Sequence, residues 1–149
     1  MERYDVSTIS ILFEEPEAHL HPLKQRMMAD IISALNNAGA YMQITTHSDY
    51  LLRRINELIN LQRISQKYQD SPKFEKICKE CSIPSCLKFD FSRLGAYLLN
   101  RRTDGSSEIV SQNVEDGIPF ASFTDALNAS LANGYRLNEY LENEDCRKF

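Results

Sequence analysis

Residues 9–15, ISILFEE, set an apolar, β-branched run directly against two adjacent carboxylates. No other stretch restricts the fold as much. The wider run VSTISILF, residues 6–13, suits a strand, and its nearly unbroken apolar end predicts cover on both faces, as in a parallel sheet. Pro16 and Pro22 bound the turn that follows. Apolar residues then recur at helical spacing, with Leu23, Met27, Ile31 and Leu35 four apart and Met28 and Ile32 beside them. Gly39 stands where a helix would stop. A second β-prone run, YMQITT at 41–46, leads to His47. Ser48 or Asp49 can cap a second helix whose stripe is Leu51, Leu52, Ile55, Leu58 and Ile59.

Strand, helix, strand, helix is the order of a right-handed parallel crossover. Both strands then finish at one edge, where open α/β sheets place their ligands. Glu14 and Glu15 leave the first strand and His47 leaves the second. Adjacent carboxylates repel, and a divalent cation removes that cost. Mg²⁺ takes one or two carboxylates and fills its other positions with water and phosphate oxygens. A second carboxylate can then hold an attacking water, and a histidine can donate a hydrogen bond to a terminal phosphate.

Past residue 62 the pattern weakens. Residues 65–88 are polar and cysteine-bearing, and read as an insertion or loop with one short helix. LGAYLLN (94–100) and EIVSQNV (108–114) flank TDGSS as a β-hairpin. Phe123, Leu127, Leu131, Leu137 and Leu141 suggest a final helix or two, interrupted near Asn133–Gly134. With 42% hydrophobic and 26% charged residues the 149-residue chain is ordinary globular material for one domain. It contains no apolar run of about 18 residues, so no membrane span is expected. Neither is a secretory signal, and four cysteines without one suit reduced thiols in the cytoplasm.

The segment ILFEEPEAHLHP followed by QITTHSDYLL closely resembles the Walker B strand, D-loop and switch-histidine loop of ABC-class ATPases of the RecF-like and OLD-like branch. The resemblance covers residues 7–60, and EDGIPFASFTDALN (115–128) is similar to the tail of such domains. It implies an α/β fold: the parallel-sheet βαβ core of an ABC-type P-loop ATPase half-domain, with a C-terminal β-hairpin and helix. The core would occupy residues 1–62, the insertion or loop 63–92, and the hairpin and terminal helical region 93–149. By position, it makes Glu14 the Walker B acid holding Mg²⁺ through water, Glu15 the catalytic base and His47 the switch histidine. Glu17, His19 and His21 fall in the D-loop, which in the family meets the opposite subunit of a nucleotide sandwich. His21 stands where Asp is commoner. ATP and Mg²⁺ are the implied ligands, and DNA repair or phage defence the implied setting.

No G-x-x-x-x-G-K-[ST] occurs, so the backbone cradle for phosphates and its lysine are missing, as is an LSGG-like signature. The chain therefore reads as a C-terminal half-domain that hydrolyses ATP only when completed by a chain carrying Walker A. A partner polypeptide, self-association of copies, or a truncated derivative all fit. The contrasting reading is a catalytically inactive half-domain acting as an interaction or regulatory module. Cys78, Cys81 and Cys86 form C-x2-C-x4-C, with Cys146 as a fourth zinc ligand or all as plain reduced thiols. His19 and His21 are metal ligands in one reading, and packing, capping or subunit-contact residues in another. Net charge runs −4 over residues 1–52, +4 over 53–88 and −4 over 89–149. The middle, with Arg53, Arg54, Arg63, Lys67, Lys73 and Lys76, is a nucleic-acid face or simply a solvated one.

Overall fold

The computed structural model describes residues 5–69, 71–119 and 121–145. It is an α/β structure. Strand β1 (Ser10–Glu14) leads through a turn to helix α1 (Pro22–Asn37), then strand β2 (Tyr41–Thr45) and helix α2 (Asp49–Tyr68). Helix α3 (Pro72–Cys81), the hairpin strands β3 (Ala96–Arg101) and β4 (Ser107–Gln112), and helix α4 (Ala121–Asp145) follow. Residues 1–119 form one compact unit and 120–149 a second.

The crossover places β1 and β2 parallel, with Ser10 opposite Tyr41 and Glu14 opposite Thr45. Helices α1 and α2 are capped by their own local chemistry. The Nδ1 atom of His21 accepts a hydrogen bond from the Leu23 N–H and Pro22 opens α1, where a missing N–H costs nothing. Ala38 and then Gly39, at φ +93°, end it. Ser48 caps α2 through the Leu51 N–H at 3.0 Å.

Within the unit of residues 1–119, the described residues cover only one sheet face, which corrects the expectation of a strand buried on both sides. Ile11, Phe13, Met42 and Ile44 alternate inward, and the last two pack on the core. Ser10, Leu12, Glu14, Tyr41, Gln43 and Thr45 face outward, leaving Leu12 72% and Tyr41 65% exposed.

Helix α1 divides its apolar stripe. Ile32 is buried and Met28 packs on the core, whereas Leu23, Met27 and Ile31 lie outside, and Ala29 and Ser33 complete the buried face. Small side chains let a neighbouring helix approach, and polar groups on that face complete the join. The Ser33 hydroxyl donates to the Leu87 carbonyl at 2.8 Å, while Arg26 and Asp30 meet Glu57 and Arg54 of α2. Helix α2 buries Leu51, Ile55, Leu58 and Ile59, as its periodicity predicts.

Residues 63–92 are more ordered than their polarity suggests. Helix α2 runs through to Tyr68, and Phe74, Cys78, Ile83 and Phe89 join the same core. Asn37 ties the end of α1 to this segment by donating to the carbonyls of Cys86 (3.1 Å) and Lys88 (2.7 Å). The hairpin pairs Leu98 with Val110 and Leu99 with Ile109. Asn56 then pins the chain after it, donating to the Ile118 carbonyl (2.9 Å) and accepting from the Ile118 N–H (2.7 Å). Helix α4 is continuous through Asn133–Gly134, not interrupted there: one glycine costs an established helix only about 1 kcal/mol.

Candidate functional site

The site is built where β1 and β2 end. Glu14 is the last residue of β1 and lies on the open face of the sheet. Glu15 leaves the strand with a left-handed backbone, φ +45°, which costs a non-glycine residue about 1–2 kcal/mol. Two hydrogen bonds from its N–H hold it there, to the Thr45 carbonyl at 3.0 Å and the Thr45 hydroxyl at 3.3 Å. Strain of this kind is concentrated at functional positions.

His47 lies two residues past the end of β2, and its Nε2 lies 3.5 Å from Glu15 Oε1. The imidazole is 88% exposed and the Glu15 side chain 49%, so the pair contributes little to stability. What it does contribute is juxtaposition. A carboxylate able to take a proton from water stands beside an imidazole able to donate to an anionic oxygen.

The turn over residues 16–19 brings Glu17 inward, where it is 5% exposed. Its Oε1 accepts from the Thr46 hydroxyl and from the His47 backbone N–H, the latter at 3.1 Å. Its Oε2 is buried without a partner. A second tie runs alongside: the Ser48 hydroxyl donates to Gln25 Oε1 at 2.5 Å, and Gln25 Nε2 donates to the Leu20 carbonyl at 2.9 Å. Sequence reasoning assigned no role to Thr46, Ser48 or Gln25 in joining the two loops. The polar run T-T-H-S after an apolar strand was the available signal.

The remaining candidates are placed as follows. His19, at φ +65°, is exposed, while His21 spends its Nδ1 on the helix cap. Among the described residues no group of three His, Cys, Asp or Glu side chains is arranged to hold a metal ion. Cys78 faces the core whereas Cys81 and Cys86 are exposed, so of the two readings of these cysteines the zinc knuckle does not assemble from these three. Cys146 lies outside the described residues.

The basic segment is largely committed within the fold. Arg54 is buried, donating to Asp30 (2.7 Å) and Glu57 (2.9 Å). Burial works against its charge, but these hydrogen bonds prevail and raise its pKa. Burial likewise pushes Glu57 up, yet its bonds to Arg26 and Arg54 hold it below the usual carboxylate range. Arg53 meets Asp49, Arg63 meets Asp116, and Lys67 and Lys73 lie over the Tyr68 ring.

The family model for the AAA ATPase domain matches residues 2–52. The match supports an AAA/P-loop ATPase-type family. Its span holds β1, α1, β2 and every residue from Glu14 to His47 discussed above. Such ATPases use ATP and Mg²⁺ in general. No curated protein and no solved structure matches the chain. No helix among the described residues is long and apolar enough to cross a membrane.

Proposed function

We propose that this chain supplies the Walker B, water-activating and phosphate-sensing part of an ABC-type ATP site. The phosphate-cradling P-loop comes from outside these 149 residues. The observation that carries the reading is the 3.5 Å approach of Glu15 Oε1 to His47 Nε2 at the carboxyl ends of two parallel strands. Glu15 acts as general base toward the attacking water. His47 donates from its imidazole to the terminal phosphate. Glu14, on the open face beside them, holds Mg²⁺ through water.

The donor set fits that ion. Glu14 offers hard carboxylate oxygens on the open face, which suits a cation that keeps its waters and takes phosphate oxygens. When bound, Mg²⁺ neutralises charge on the phosphates. The open sheet face with Leu12 and Tyr41 is where a completing polypeptide or a second copy packs in this reading. A setting in DNA repair or phage defence rests on the sequence resemblance alone.

The test completes the chain with a P-loop- and signature-bearing N-terminal half and follows ATP hydrolysis with Mg²⁺. Glu15→Gln lowers turnover roughly 10²–10⁴-fold while ATP stays bound. Unchanged turnover in that variant removes the base role and favours an interaction module. Robust hydrolysis by the monomeric chain alone removes the dependence on an outside P-loop.

A further inference from the structure

We propose that Glu17 is a positioning residue that holds the His47 imidazole against Glu15, so that the turn after β1 and the histidine loop move as one piece. This rests on the ATP-site reading for its purpose and on geometry for its substance. The backbone of the turn is closed by the Ala18 N–H donating to the Glu15 carbonyl at 2.9 Å and the Leu20 N–H donating to the Glu17 carbonyl at 3.0 Å. Glu15 and Glu17 are therefore fixed relative to each other. From that base Glu17 Oε1 accepts the backbone N–H of His47 itself at 3.1 Å, and the His47 ring returns to Glu15 at 3.5 Å. The backbone from Glu15 to Glu17 and the two contacts of His47 form a closed ring, in which Glu17 is the buried member.

Stability does not explain a carboxylate there. It is 5% exposed, no arginine or lysine among the described residues is paired with it, and one of its oxygens is buried without a donor. An apolar side chain of the same length avoids that desolvation cost. What the carboxylate supplies is direction: two donors, the Thr46 hydroxyl and the His47 N–H, converge on one oxygen and set the start of the histidine loop. The Gln25 tie reaches Ser48 and Leu20, and so flanks the loop without fixing His47. Within the chain, Glu17 acts on the start of the histidine loop, beside the opposite-subunit contact that the D-loop resemblance implies for it.

The experiment uses the nucleotide-free chain, so its outcome is independent of whether an ATP site can be reconstituted. Glu17→Met keeps the length and removes the acceptor, while Glu17→Gln keeps an acceptor. NMR reads two quantities: amide exchange at His47, and the change in the His47 imidazole resonances caused by adding Glu15→Gln. The wild-type chain and Glu17→Gln show the imidazole response. Glu17→Met loses it and exchanges the His47 amide about tenfold or more faster, with core methyl signals of Ile32 and Leu58 unmoved. A full response in Glu17→Met, or equal loss in Glu17→Gln, overturns the proposal. Should Glu17→Met not fold, Thr46→Val takes its place: removing one of the two donors that aim the carboxylate reduces the response, and a full response overturns the proposal. If the coupling is present but the completed enzyme does not hydrolyse ATP, the ATP-site reading falls and the positioning role stands.

Discussion

Arg53 and Arg54 are adjacent in sequence and face opposite fates, which makes them a test of how α1 and α2 are joined. The Arg54 side chain is 9% exposed and donates to both Asp30 oxygens, at 2.7 and 3.3 Å, and to Glu57 at 2.9 Å. Breaking a buried pair by removing one partner costs about 3–5 kcal/mol, because the other charge is left behind. Here the acids retain 28% and 39% exposure, and Glu57 keeps Arg26 at 2.8 Å, so some of that cost is recovered by water and the remaining cation. Arg54→Met is therefore expected to destabilise the fold by about 2–3 kcal/mol. The Arg53 side chain is 41% exposed and meets Asp49 one helical turn away. Arg53→Met should cost about 0.3–0.5 kcal/mol. Urea denaturation followed by circular dichroism separates the two. Equal midpoints, or an Arg54→Met chain within about 1 kcal/mol of wild type, refute the view that the α1–α2 seam depends on this guanidinium. The same contrast bears on nucleic acid: a binding defect in Arg54 variants reports lost structure, so of the two Arg53, the more exposed, is the better probe of a basic surface.

Glu57 adds an acid dependence. Burial raises its carboxyl but Arg26 and Arg54 hold it below the ordinary value of 4.5, so its contribution is full above the unfolded pKa and disappears as pH falls through the lower folded one. Arg26→Met should move the acid unfolding midpoint to higher pH in a circular dichroism titration; an unmoved midpoint counts against the network. Gly117 sits at φ +103° and a Cβ there would lie 2.9 Å from Asn56 Oδ1, so Gly117→Ala should lower stability by about 1–3 kcal/mol in thermal melts. A melt unchanged from wild type shows that the Asn56 anchor can shift freely. Gly134 has nothing within 4 Å of its Cβ position in the middle of α4, and Gly134→Ala should strengthen that helix by about 1 kcal/mol. Slower amide exchange over residues 128–140 is the readout, and no change argues against a continuous helix.

The βαβ topology and the rim it creates were legible because periodicity and strand order act locally. Two short β-prone runs around one helical pattern leave few ways to lie, and they deliver Glu15 and His47 to one edge before any contact is known. The face of α1 was not legible in the same way. Its apolar stripe is real, but Ala29 and Ser33 allow closer helix approach than Leu23, Met27 and Ile31, and the ion pairs to Arg54 and Glu57 lie on the small-residue side. A hydrophobic pattern ranks faces by transfer energy alone; packing distance and charge pairing turned the helix so that only Met28 and Ile32 of the stripe meet the core.

The same distinction runs through the site. Carboxylates and histidines announce themselves by residue type, whereas braces such as Gln25, Ser48 and Thr46 are recognised only by what they touch. Glu17 looked like its acidic neighbours in sequence, yet its burial separates it from them completely. Glu14 and Glu15 remain at the open rim, available to a ligand, and Glu17 is turned inward against the His47 backbone. Three acids within four residues thus take two kinds of work. The left-handed backbone at Glu15 is what divides them, since it turns the chain out of the strand and into the turn that carries Glu17 under the histidine loop.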